Sequence, residues 1–184
     1  SITREWQQVD DIRDHMLYFL ENHDEQRIAS DFFAGNPWKG VPGMIVSALL
    51  QQNPVMVYAG QEFGERGMDK EGFSGQDGRS TIFDYWTSDA VFKGFFNRDS
   101  LTTDEKKLSL VYQGILRFCN REKAVREGQT FDLMYANNQS YQFNPRKQFA
   151  FLRKTDNEVL LVVANFDQKR VYINVTVPSH AYDF

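Results

Sequence analysis

The densest run of chemically capable side chains is Glu21-Asn22-His23-Asp24-Glu25. It follows directly on an apolar run, Met16-Leu17-Tyr18-Phe19-Leu20. An apolar run without alternation suits a strand covered on both faces, as in a parallel sheet. Polar groups gathered at the C-terminal end of such a strand are the mark of a ligand-facing rim. A second run, Val55 to Ala59, ends in the same way, in Gly60, Gln61, Glu62, Gly64 and Glu65. Gly60 permits the turn that must follow the strand. Arg27 stands close enough to Glu21 to pair with it, and it is also a candidate ligand contact. Trp38 and Trp86 present large aromatic faces of the kind that pack on sugar C–H surfaces or in cores.

Other residue types yield less. Cys119 is the sole cysteine, so no intrachain disulfide forms. Its neighbours Leu116 and Phe118 suggest a helix packing face and an inert thiol. Asp69, Glu71, Asp77 and Asp84 lack the spacing of a calcium loop. The formal net charge is −4, and no polybasic patch supplies the footprint that nucleic acid requires. No apolar run approaches the length of a membrane span. At 41% hydrophobic and 25% charged residues the composition is that of a soluble globular chain, but it fixes no compartment.

These candidates need elements to hold them. Residues 4–15 are polar and read as a short helix or loop. A strand is expected over 16–22, then a Gly- and aromatic-containing loop over 28–41. A helix is expected from Pro42 through Leu50, stopped by Asn53-Pro54. The second strand is expected over 54–59. Strand, helix, strand is a βαβ unit with parallel strands. From Arg66 to Asn97 the sequence reads as one long connection, with Thr81–Trp86 as its aromatic anchor. Thr102 or Thr103 caps a helix from Glu105 to Cys119, whose apolar residues recur at spacings of three and four. The mixed-sign cluster from Arg121 to Glu127 reads as a solvated helix end. After Gly128 the pattern turns to strands: Thr130–Tyr135, Phe149–Arg153, Val159–Phe166 and Val171–Val177, with turn signals at Asn137-Asn138 and Asp156-Asn157. The boundary between helix-rich and strand-rich parts is expected near residues 121–129.

Taken together, these stretches resemble the α-amylase family of glycoside hydrolases. Asn22, His23 and Asp24 match the family's motif at the end of its seventh barrel strand. Asn53 to Gly64, with Tyr58, Gly60 and Glu62, looks like the eighth strand and the loop beyond it. Arg79–Trp86 resembles the loop before the last barrel helix. Phe149–Arg153 and Val163–Phe166 look like the C-terminal sandwich. The resemblance implies an α/β plus all-β fold: residues 1–120 as the end of a (β/α)8 TIM barrel, and 129–184 as an antiparallel β-sandwich domain, expected to be incomplete at the chain end. It implies retaining cleavage of α-1,4 bonds in an α-glucan or maltooligosaccharide. It makes Asp24 the transition-state stabiliser and His23 a substrate contact, with Trp38 and Arg27 as further candidates. Glu21, Asn22, Tyr58, Gly60 and Glu62 fall into supporting positions.

The family's nucleophile and acid/base lie upstream of the His-Asp motif, and only 22 residues precede His23. Retaining chemistry requires both carboxyls, about 5 Å apart. The chain, starting at Ser1 without Met, is therefore expected to be a piece of a longer enzyme and inert alone. Its missing partner is the N-terminal part of the barrel; without it, self-association is expected. No metal ligand set is expected here, and the family's calcium site would belong to the full-length parent. The competing reading is a non-catalytic carbohydrate-binding or structural module built on the β-rich part.

Overall fold

The structure, a computed structural model, describes residues 1–69, 76–82, 88–138 and 141–183. Helix α1 spans Ile2–Gln8, and strand β1 is Tyr18–Phe19. Helix α2 is Val41–Leu49, and β2 is Val55–Met56. Helices α3, Asp89–Phe96, and α4, Thr103–Arg121, follow. Then come α5, Lys123–Glu127, β3, Gln129–Asp132, and α6, Met134–Asn137. The last strands are β4, Gln148–Thr155, and β5, Glu158–Asn165. Strands β1 and β2 form a two-stranded sheet, and β3, β4 and β5 a three-stranded one. Among the described residues no barrel closes, and no helix is long and apolar enough to cross a membrane.

Two compact units emerge: Ser1–Tyr18 with Ile45–Pro54 and Arg117–Phe184, and Phe19–Met44 with Val55–Leu116. In the first, β4 is the antiparallel centre of its sheet, with Phe131 opposite Leu152 and Ala150 opposite Val163. Period-two alternation sends Ala150 and Leu152 to one face. There they join Leu133, Phe143 and Ala181 in a core flanked by Ile173, Val175 and Val177. The other face carries Phe149, Phe151 and the fully buried Arg153.

The expected strand Val171–Val177 is not a strand. Its alternation is real, with the odd positions half-buried and the even ones exposed. Its backbone meets a side chain instead of a ladder. The fully buried Asn137 accepts from Thr176 N at 2.8 Å and donates to Thr176 O at 3.0 Å. One carboxamide thus takes both groups that a neighbouring strand would have taken.

The expected strands 16–22 and 54–59 shrink to two residues each. The first run is not covered on both faces, since Leu17 is 46% and Phe19 44% exposed. Helix α4 starts as its sequence requires: Thr102 Oγ1 accepts from Glu105 N, and Glu105 Oε2 from Thr102 N, a reciprocal capping box. The connection 66–97, expected as loop, contains α3. That helix is amphipathic, and Gly94 lets it approach Phe63, whose ring would lie 2.1 Å from any Cβ there. Of the aromatic anchor, positions 83–86, Trp86 included, lie outside the described residues, as do Glu71 and Asp84.

Candidate functional site

The residues following β1 do not extend the strand; they form a tight loop. Its tip is organised by Asn22, whose Oδ1 accepts from Asp24 N and Glu25 N, both at 3.0 Å. This local turn is the ordinary use of an Asn side chain. It leaves His23 and Asp24 side by side, with Nε2 to Oδ1 3.4 Å apart and the Asp24 side chain 70% exposed. An exposed carboxylate beside an imidazole can meet positive charge and donate to or accept from hydroxyls.

The base of the loop is buried and polar. Glu21 is 3% and Arg27 1% exposed. Arg27 Nη1 donates to Glu21 Oε2 at 2.7 Å, and Ile28 N donates to Glu21 Oε1 at 2.7 Å. Arg27 Nε donates to Ser80 Oγ at 2.7 Å, and Nη2 to Ala59 O at 2.6 Å. The guanidinium lies 4.1 Å from the centre of the Tyr58 ring, a cation–π arrangement. Arg27, one of the candidate ligand contacts, lies enclosed here, with Nε, Nη1 and Nη2 each bonded to protein.

Beyond β2, Gly60 adopts φ +91°, and its N–H donates to Glu62 Oε2 at 3.1 Å. Glu62 thus anchors its own turn. Gln61 donates to the Tyr112 hydroxyl at 3.0 Å. Tyr58 donates its hydroxyl to Ser80 O at 3.3 Å. Burial pushes the Glu21 and Glu62 carboxyls up from their ordinary values, against the pull of Arg27. Burial also pushes the Tyr112 phenol up to about 12. Trp38 is tied to the start of α4, its Nε1 donating to Asp104 Oδ2 at 2.9 Å. Among the described residues no cluster of three or more His, Cys, Asp or Glu could hold a metal ion. Cys119 is half-buried, its thiol donating to Ala48 O at 3.6 Å and its pKa raised by burial, as an inert thiol's is.

Sequence reasoning missed Ser80, Gly78 and Tyr112. Gly78 O accepts from Arg27 N at 2.7 Å, and its φ of +86° sits where a Cβ would strike Ser30 Oγ. That glycine was the available signal. The others are contacts across more than fifty positions, which no local pattern carries.

No family model and no curated protein matches the sequence. The fold, however, matches that of solved enzymes of the α-amylase family. Isomaltulose synthase from Erwinia rhapontici NX5 aligns with a TM-score of 0.56 and 18% identity, over 91% of this chain and 38% of that one. Trehalose-6-phosphate hydrolase from Bacillus licheniformis gives 0.55 and 17%, over 90% and 37%. A debranching enzyme from Nostoc punctiforme, soaked with acarbose, gives 0.54 and 17%, over 89% and 28%. A mutant of the Erwinia synthase is known with its natural substrate, sucrose. The chain spans less than two fifths of the length of each of these enzymes.

Proposed function

We propose that this chain is the end of an α-amylase-like glycoside hydrolase, acting on an α-glucan or maltooligosaccharide with retention at α-1,4 bonds. Residues 1–120 would complete the catalytic barrel, and 129–184 would form its C-terminal β domain. Asp24 stabilises the transition state, and His23 binds hydroxyls of the sugar being cleaved. The observation that carries this reading is the Asn22 turn, which holds the exposed Asp24 carboxylate beside His23 at the end of β1. The fold likeness to sugar-acting enzymes supports it. The transition state of glycoside cleavage is oxocarbenium-like, so a fixed carboxylate is most valuable where that charge develops.

The test is Asp24→Asn in the full-length protein. The swap keeps shape and removes charge, and it should lower kcat roughly 100- to 1000-fold. Unchanged kinetics would make Asp24 structural and end the proposal. The chain by itself lacks the family's upstream carboxyls and should release no reducing sugar from starch, pullulan or maltooligosaccharides. The apolar positions Leu17 and Phe19, exposed on this chain, should drive it to associate with itself or with the rest of the barrel. Light scattering over a concentration series reads that association, and a strictly monomeric chain would contradict it.

A further inference from the structure

The buried pair beneath the loop does more than fill space. Both Glu21 oxygens are used, one by the Arg27 side chain and one by the Ile28 backbone. The carboxylate therefore closes residues 21–28 into a ring at its base, while Asn22 closes the tip. His23 and Asp24 lie between these two closures. The same guanidinium reaches out of the loop to Ala59 O, at the far end of the β2 run, and to Ser80 Oγ. One planar cation thus ties three chain segments with three separate nitrogens. An ammonium, a point charge without a fixed fork, could not hold those three directions.

We infer that the Glu21–Arg27 pair is a positioning element that fixes the Asp24–His23 loop against the end of the second strand; this rests on the function proposed above. With 3% and 1% exposure neither residue can reach a substrate, so both act through the loop they hold. Stability alone is a poor reason to keep such a pair. Burying two charges is costly, and well-packed apolar replacements are often neutral or better. What the pair supplies that apolar side chains would not is direction: Ala59 O, Ser80 Oγ and Ile28 N are all held at 2.6–2.7 Å through it.

The experiment uses the full-length protein with maltoheptaose as substrate, comparing Arg27→Lys, Glu21→Gln, the double variant and Asp24→Asn. A displaced carboxylate loses transition-state contact before it loses substrate, so kcat should fall roughly 10- to 100-fold in each single variant. KM should stay within about threefold. The double variant should be no worse than the worse single one, because both break one device. A rise in KM with kcat intact would make Arg27 a ligand contact and overturn the inference. So would wild-type kcat in a folded variant. Should Arg27→Lys fail to fold, Glu21→Gln decides, since it keeps size and leaves the Arg27 bonds to Ser80 and Ala59 available. Wild-type rates in Asp24→Asn would instead overturn the functional reading, and the positioning role with it. A collapse in Asp24→Asn beside full activity in Glu21→Gln would overturn the positioning role alone.

Discussion

Arg153 invites a substitution whose outcome separates charge from geometry. It is fully buried, and among the described residues its hydrogen bonds go to uncharged groups. Nε donates to Ala124 O at 3.2 Å, Nη1 to Leu50 O at 3.0 Å, and Nη2 to Val125 O at 2.7 Å; Nη1 also bonds Thr130 Oγ1. Burial lowers its pKa from the ordinary guanidinium value to about 10. At about 1.4 kcal/mol per tenfold, the enclosed charge is held at a cost of roughly 3 kcal/mol. Arg153→Met removes that cost along with the bonds. Two of the acceptors keep other donors, since Ala124 O also takes Gly128 N and Leu50 O also takes Thr130 Oγ1. Val125 O loses its bond from Arg153 and bears the main penalty, about 1–3 kcal/mol for a buried carbonyl left unpaired. The two terms offset, so the net expectation for Met is within about 2 kcal/mol of wild type. Arg153→Lys keeps the charge and loses the fork, so it should cost more, about 3–5 kcal/mol. Urea unfolding of the chain followed by circular dichroism measures both. A milder effect for Lys than for Met would show that the charge, not the planar geometry, sustains this site, and the reasoning would fail.

Gly94→Ala places a methyl against the Phe63 ring and should destabilise by about 1–3 kcal/mol, whereas Gly114→Ala, in open space on α4, should stabilise by about 0.5–1 kcal/mol; thermal melts showing equal effects would contradict the close approach at Gly94. Tyr112 titrates near 10 when unfolded and at about 12 when folded. Between those values only the unfolded state loses its proton, so stability falls as pH rises through the window. Tyr112→Phe should flatten that fall by about 3 kcal/mol relative to wild type, and parallel curves from pH 9 to 12 would refute it. Thr102→Ala breaks the capping box of α4 and should cost about 1 kcal/mol, read as a lower unfolding midpoint.

What the sequence disclosed followed the range of each interaction. Helix α4 and its cap were legible because Thr102 and Glu105 are three residues apart and the apolar spacing is regular. The Asn22-His23-Asp24 run was legible as a polar strand end, but the turn that Asn22 closes was not read from it, although its bonds span only two or three residues. Helix α3 was not, since three Phe and a Gly inside a glycine-rich stretch read as loop until Phe63, some thirty positions earlier, gives Gly94 a purpose. The support under the site was equally hidden. Arg27 meets Ser80 across 53 positions, and Arg153 meets Leu50 O across 103.

Two of the departures from the expected strands have one cause. Period-two alternation and unbroken apolarity report which side chains are turned away from water, not what the backbone bonds to. Val171–Val177 buries one face as its pattern requires, yet Asn137 takes the backbone groups of Thr176 and no ladder forms. Met16–Leu20 has the composition of a strand enclosed on both faces, yet Leu17 and Phe19 stand open. In the first case a single carboxamide takes the ladder groups of one residue, Thr176. In the second, nothing among the described residues covers these side chains fully, and a run so apolar gains about 25 cal/mol for each Å² of that surface removed from water. The same surface that defeats the strand expectation is thus the physical reason for expecting the chain to seek a partner.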